Sequence, residues 1–366
     1  MSCTEGKMDR LRVLVLGAAF SADLHMNAYA AIRDRVEIAA IADLDAGRAK
    51  ALEGRYGIEG YGLYGDFREA IAKVDCDLVD ICLPNFLHCE PSLLALESGR
   101  HVICEKPMAT TVADAERMTA CAKANGRHIY YAEDWLFAPA LRKALEIVRS
   151  GGIGELQYIR ARECHGGSHS PFAQKIEYCG GGSMIHLGIH PVGFVLAAMG
   201  GGWREVVAMA SGGGAGNIRH NSMEGEDWAA AMIKFIDGRT ALVEGNYLTC
   251  GGMEDSIDFY GTSGCQHADL TFSSALSCFS AGGLDYTVEK AETTTGWSRP
   301  AVDEKYNMGY NDEIARFVEL ASQGREADKG ARGEDGLEAL RLVECIYRSA
   351  REGVAVRNPY NDITVV

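Results

Sequence analysis

Two histidines four residues apart close the stretch GGGSMIHLGIH, residues 180–190. On a helix that spacing puts His186 and His190 on one face, where imidazoles can move protons, meet hydroxyls or hold a metal ion. A second stretch, RECHGGSHS at 162–170, supplies Glu163, His165, Ser168 and His169. Histidines set among glycine and serine in a loop have little packing purpose, so His165, Ser168 and His169 are read as contacts to a polar ligand. If a metal is used, Glu133, His165, His186 and His190 are its candidate ligands. A third stretch, CEKPM at 104–108, places Lys106 directly after a strand.

These groups need a frame, and the first part of the chain supplies one. LRVLVLG (11–17) is an aliphatic strand closed by glycine, HMNAYAAIRD has helical composition, and VEIAAIAD (36–43) is a second strand. Strand, helix and strand within some thirty residues form the βαβ unit of a dinucleotide fold. The turn GAAFSA (Gly17, Ala18, Ala19, Phe20, Ser21 and Ala22) keeps the first glycine of GxGxxG and puts alanine where the others would stand. Asp43 ends the second strand, where a carboxylate binds ribose hydroxyls and repels a 2′-phosphate, so NAD is expected over NADP; a helix N-cap is the alternative role. Strands and helices then alternate through about residue 136, which predicts a doubly wound parallel sheet. Ligands bind beyond the carboxyl ends of such strands, and Asp43, Pro84, Asn85, His88, Glu105 and Lys106 all lie at such ends.

Composition narrows the partners. A chain of 366 residues exceeds one ordinary core, which suggests two domains. The formal charge of −15 argues against nucleic acid. No apolar run approaches the roughly 20 residues that span a bilayer, and MSCTEGKMDR lacks a signal-peptide pattern, so a cytoplasmic protein without a membrane partner is expected. The twelve cysteines include no CxxC pair and read as free thiols.

CLPNFLHCE followed by HVICEKPMATT, then GGGSMIHLGIH, GYNDEIARF and EDGLEALRLVECIYRSAREG, resembles the Gfo/Idh/MocA family across most of the chain. The resemblance implies an α/β Rossmann domain over residues 1–136. It also implies an α+β substrate-binding and oligomerisation domain over 137–366, with an open, mainly antiparallel sheet and C-terminal helices packing back on the first domain. WAAAMIKFIDGRTALVEGNYL fits such a sheet, with a hairpin turn at Asp237-Gly238; helices are expected again only after about residue 307. The glycine-rich segment 211–227 is read as a flexible loop.

The resemblance also implies that Lys106 and His190 face the nicotinamide of NAD. Oxidising a secondary alcohol requires a proton acceptor, which suits His190, and a cation that steadies the alkoxide, which suits Lys106. Glu105 is a candidate for the nicotinamide ribose. Where the family often has aspartate, this chain has His186, and EDW (133–135) replaces a more usual asparagine-x-arginine-phenylalanine run. Together with ECHGGSHSPFA these departures resemble a glycoside-processing subgroup, in which Glu133, Trp135, His165, Ser168, His169, His186 and His190 contact the sugar; for Trp135 the alternative is interdomain packing. The implied activity is NAD-dependent hydride transfer at a secondary carbon of a sugar, glycoside or cyclitol, at C3 if the ligand is a glucoside, by a homo-oligomer. The alternatives are a glycosidase that oxidises, eliminates and re-reduces, and a sugar or nucleotide sensor without turnover.

Overall fold

The computed structural model describes residues 10–168, 170–200, 202–271 and 274–360. The chain begins with β1 (Leu11–Leu16), α1 (Phe20–Ala31), β2 (Val36–Ala42), α2 (Ala46–Tyr56), β3 (Gly62–Tyr64), α3 (Phe67–Lys73), β4 (Leu78–Ile81), α4 (Cys89–Glu97), β5 (His101–Glu105), α5 (Val112–Asn125) and β6 (Ile129–Ala132). The six strands pair in parallel in the order β3-β2-β1-β4-β5-β6. β1 and β4 are apolar but for Arg12 and Asp80, and almost wholly buried, because helices cover both faces of a parallel sheet. Side-chain caps start the helices where the sequence offers them: Asp45, Asp66 and Thr111 accept from the first turns of α2, α3 and α5. The strand order reverses between β1 and β4, which opens a crevice at their carboxyl ends.

α6 (Pro139–Arg149) leads into the second half: β7 (Leu156–Cys164), α7 (Ile176–Cys179), α8 (Ser183–His186), α9 (Ile189–Met199), β8 (Trp203–Ala210), β9 (Trp228–Phe235), β10 (Thr240–Asn246), β11 (Glu254–Gly261), β12 (Cys265–Asp269), β13 (Cys278–Ser280) and β14 (Gly296–Ser298). The chain then forms α10 (Glu304–Asn307), α11 (Tyr310–Ser322), α12 (Gly333–Glu352) and β15 (Val356–Arg357). A seven-stranded sheet runs β12-β11-β7-β10-β9-β8-β15, antiparallel except for the β7–β10 pair. α9 and α12 pack on one face, while the other exposes Val207, Met209 and Met232. α11 packs on α1, and the Tyr131 N–H donates to the Ala331 carbonyl at 2.8 Å. Lys305 donates to Asp23 at 2.9 Å.

Two expectations need correction. Helices do not wait until residue 307: α7, α8 and α9 lie between β7 and β8, and α9 is apolar nearly all round because it is buried. Segment 211–227 is not a loose loop. Asn217 donates to the carbonyls of His220, Met223 and Gly225, and the Asp227 carboxylate accepts from the backbone N–H of Ile218, Arg219 and His220. Its glycines allow close approach, and one amide and one carboxylate fasten the segment.

Among the described residues all the cysteines are free thiols, and no single helix is long and apolar enough to cross a membrane.

Candidate active site

Gly17 ends β1 with φ +95°, and a Cβ there would stand 2.3 Å from the Cys82 carbonyl oxygen beyond β4. Only glycine tolerates both the left-handed backbone and that approach, so the first glycine of the fingerprint keeps the crevice open. Ala19 precedes α1 and brings no side-chain cap, which suits a helix start that receives phosphate; Phe20 and Ser21 open that helix, Phe20 half-exposed. The Asp43 carboxylate accepts the Ala18 N–H at 2.8 Å and the Asp45 N–H at 2.7 Å, tying the end of β2 to the turn. These residues fit a dinucleotide: a tight turn, a helix start and a carboxylate at the second strand end.

Other residues expected at the cofactor are turned into the protein. His88 is fully buried, with its ring nitrogens 2.8 Å from the Pro107 carbonyl and 2.7 Å from the Leu83 carbonyl. It braces the loop after β4 against the one after β5. Asn85 donates to the Cys179 carbonyl at 3.1 Å, and Pro84 precedes it in a half-buried turn. Glu105 meets His25 at 3.1 Å and accepts the Lys106 N–H at 3.0 Å.

His25 escaped the sequence reading because a lone histidine in an apolar helix looks like core. It is fully buried between Asp80, at 2.9 Å, and Glu105, with Tyr29 also donating to Asp80 at 2.8 Å. Burial opposes charge on this imidazole, but Asp80 and Cys82 outweigh it and hold its pKa well above the ordinary histidine range. A fixed cation between two carboxylates thus pins β4 to β5 immediately before Lys106. The Lys106–Pro107 peptide is cis, and Lys106 Nζ donates to the His186 carbonyl at 3.1 Å.

The three glycines of the 180–190 segment answer to crowding. A Cβ at Gly181 would meet the Tyr347 hydroxyl at 2.3 Å, and one at Gly182 would meet the Glu226 carbonyl at 2.0 Å. α8 therefore starts pressed against β9 and α12. The segment is not one helix: α8 ends at His186, the chain breaks at Leu187 and Gly188, and α9 begins at Ile189. The expectation that His186 and His190 share one helical face is corrected accordingly. His186 Nδ1 meets the Tyr247 hydroxyl, and the Tyr247 ring also lies 5.2 Å from that of His165.

His190 has different partners, its Nδ1 2.8 Å from Glu133 Oε1 and 3.1 Å from Asp134 Oδ1. Carboxylates only accept, so the Nδ1 proton belongs to this contact, and in the neutral ring Nε2 is left as acceptor. Burial and Lys106 work against charge on His190; Glu163, Glu133 and Asp134 overcome them, and its pKa lies well above the histidine norm. Burial likewise raises Glu133 against the pull of His190, so the pair retains a proton strongly. Burial and then the Lys106 charge hold His186 well below the histidine norm, and it remains neutral.

Trp135 is fully buried and stacks on the His190 ring at 5.9 Å with planes 13° apart. Its expected role at a sugar face gives way to packing, since the indole holds the histidine plane. The candidate metal set does not converge: Glu133 and His190 touch, whereas His165 and His186 turn to Tyr247. Glu133, Asp134 and His190 offer ligand atoms within 4.8 Å of one another, but the contact at Nδ1 is accounted for by its hydrogen bond. Ser168 borders the site loop and accepts the Ser170 N–H at 3.0 Å; His169 lies outside the described residues.

Glu163 is the last residue but one of β7, and its Oε2 lies 3.8 Å from His190 Nε2. Lys290, on the excursion between β13 and β14, has φ +61° and a largely buried side chain; burial lowers its pKa to about 8, with Lys106 and Glu163 among its charged neighbours. No sequence signal singled out Lys290, because its relation to the site exists only through the return of a long loop.

Residues 11–133 match the family described as "Oxidoreductase family, NAD-binding Rossmann fold", and residues 141–266 match "GFO/IDH/MocA C-terminal domain". The chain is 27% identical to D-glucoside 3-dehydrogenase of Escherichia coli (strain K12), covering 94% of this chain and 97% of that protein. It is 24% identical to myo-inositol 2-dehydrogenase of Thermotoga maritima, covering 95% and 98%. The crystal structure of GenD2 from gentamicin A biosynthesis in complex with NAD superposes with a TM-score of 0.85 at 24% identity, covering 96% of this chain and 97% of that one.

Proposed function

Because the chain belongs to the Gfo/Idh/MocA family of NAD-dependent sugar and cyclitol oxidoreductases, we propose that it oxidises, or in reverse forms, one secondary hydroxyl of a sugar, glycoside or cyclitol through Lys106 and His190. The observation that carries this reading is the orientation of His190: with Nδ1 committed to Glu133 at 2.8 Å, Nε2 is the atom free to take the carbinol proton. NAD, held at Gly17, the start of α1 and Asp43, supplies the hydride acceptor.

The chain's own groups do the rest. As the C–H hydride leaves the carbinol carbon, the O–H proton passes to His190 Nε2, and the C–O bond becomes a carbonyl. Glu133 stabilises the imidazolium that forms. Lys106, anchored by the His186 carbonyl, presents its ammonium to the developing alkoxide. Trp135 behind the imidazole keeps the ring from swinging. The reading at C3 of a glucoside draws support from the name of the Escherichia coli relative.

A second reading retains the same first step and continues to glycoside cleavage by elimination and re-reduction. The neutral His186 beside Tyr247 and His165 favours it, since elimination needs a further proton-transfer group. A homo-oligomer through the sheet face bearing Val207, Met209 and Met232 completes the proposal.

The test is absorbance at 340 nm with NAD and a panel of free sugars, inositols and aryl glycosides, joined to mass spectrometry of the products. NADH with a keto-sugar is the expected result; glycoside cleavage without net NADH establishes the second reading. Lys106→Ala and His190→Ala should each abolish turnover with NAD affinity largely kept, and full activity in either variant refutes the assignment.

A further inference from the structure

Glu163 is 4% exposed, and its Oε2 is buried without a hydrogen-bond partner among the described residues. A buried carboxylate oxygen left unpaired is costly, and a polar group on a ligand relieves that cost. The charged groups around Glu163 are His190, Lys106, Asp134 and Lys290, and Asp255 lies opposite it in the β7–β11 register. The orphaned oxygen is therefore within the catalytic cluster, 3.8 Å from His190 Nε2.

That gap is too long for a hydrogen bond, yet it matches a pair of ligand atoms. If one hydroxyl oxygen engages Nε2, a hydroxyl on the adjacent carbon sits about 2.8 Å away, and two nearly parallel hydrogen bonds of similar length reach both protein atoms. Glu133 Oε2 and the carboxylate oxygens of Asp134 and Asp255 are buried and unpaired as well, but Glu133 and Asp134 lie on the Nδ1 side of His190 and Asp255 stands on β11, so among the described residues Glu163 is the carboxylate placed beside Nε2; His186 is engaged by Tyr247.

We propose that Glu163 is a specificity-determining residue that accepts a hydrogen bond from a free hydroxyl on the carbon next to the one oxidised, so that the substrate class is a vicinal diol. This rests on the assignment of His190 Nε2 to the carbinol proton. An ionised carboxylate accepts and never donates. A hydrogen, an ether or an ester at the neighbouring carbon leaves it unpaired, and such sites reject the analogue strongly.

The experiment uses the full chain with NAD, comparing methyl β-D-glucopyranoside with its 2-deoxy and 4-deoxy analogues. Turnover is read at 340 nm, and binding is read separately as quenching of protein tryptophan fluorescence in the presence of NADH. The wild-type protein should disfavour at least one deoxy analogue on the order of 100-fold in both readouts, the size expected for one charged hydrogen bond left unmade. Glu163→Ala should bind the parent and that analogue about equally; Glu163→Gln, which keeps the volume and an acceptor oxygen, should retain an intermediate preference and guards against misfolding of the alanine variant. An undiminished preference in both variants overturns the proposal, as does a wild-type protein that accepts both deoxy analogues like the parent. Binding discrimination that depends on Glu163, with neither NADH nor glycoside cleavage, leaves the contact of Glu163 with that hydroxyl standing and refutes the hydride reading, and with it the position of that hydroxyl beside an oxidised carbon. Binding of none of the three sugars overturns the glucoside form of both.

Discussion

Replacing Glu133 by glutamine removes one charge from beneath the imidazole proposed to take the carbinol proton, and almost nothing else. Glu133 is fully buried, accepts from His190 Nδ1 at 2.8 Å, and is packed beside Gly193, where a Cβ would come within 2.9 Å of Oε2. Glutamine fits the same space and offers a carbonyl oxygen to the same N–H. What is lost is the difference between a charged and a neutral hydrogen bond: about 1.5–3 kcal/mol against about 0.5–1.5, so roughly 1–1.5 kcal/mol. That stabilisation counts most when His190 carries the proton it has taken, so the loss falls on the transition state. At roughly 1.4 kcal/mol per factor of ten, kcat for alcohol oxidation should fall about tenfold at alkaline pH. The pH profile carries an independent sign. The carboxylates raise the His190 pKa, so oxidation in the wild type should increase as pH rises and the imidazole loses its resting proton, while ketone reduction should decline. In Glu133→Gln the acid limb should move to lower pH. Steady-state kcat from pH 5 to 10 in both directions measures both effects. A kcat within twofold of wild type together with an unmoved profile would refute the view that Glu133 acts on His190 through its charge.

Asp43→Asn should weaken NAD binding about tenfold and erase most of the preference over NADP, because the charge that repels a 2′-phosphate is gone, and the single amide oxygen can keep only one of the two bonds from the Ala18 and Asp45 N–H groups, which use different carboxylate oxygens; isothermal titration with both dinucleotides checks this, and an unchanged ratio counts against the ribose role. Glu226 accepts from the Met184 N–H and the Tyr347 hydroxyl, and burial lifts its pKa from 4.5 to about 7. The folded state thus keeps a proton that the unfolded chain releases, so stability falls as pH rises from about 4.5 to about 7 and stays lowered above it. Glu226→Gln should be more stable than wild type at pH 8 by up to roughly 3 kcal/mol and at pH 5 by no more than about 1 kcal/mol, as read by urea unfolding; equal stability at pH 8 would show that burial does not raise the pKa of this carboxyl. Dialysis against EDTA should leave turnover unchanged, since the proton on His190 Nδ1 occupies the place an ion would need; loss of activity restored by a divalent cation would reverse that assignment.

Much of the frame was legible because it is local. A glycine after an apolar strand, alternating strands and helices, and a carboxylate closing the second strand are short-range patterns, and they find their counterparts in β1, Gly17, β2 and Asp43. The proline-bearing strand end that carries Lys106 was readable in the same way. The helical reading of His186 and His190 failed because periodicity counts four residues without registering that the helix is interrupted at Leu187 and Gly188, where a Cβ on Gly188 would stand 2.4 Å from the Met184 sulfur. His88 and Glu105 stand at strand ends like true ligands, yet each found a partner within the protein, His88 in two carbonyls and Glu105 in His25.

What the sequence determined by itself is the dinucleotide frame, the two-part architecture and the residue types able to move a proton, because these follow from hydrophobic periodicity, turn chemistry and motif. The tertiary structure alone decided which nitrogen of His190 is committed and which is free, that Trp135 backs the imidazole and not a sugar, and that Glu163 and Lys290 join the site. Those outcomes depend on burial and on contacts between residues tens to hundreds of positions apart, and a charge or a hydrogen bond acquires its strength only when folding removes the water around it.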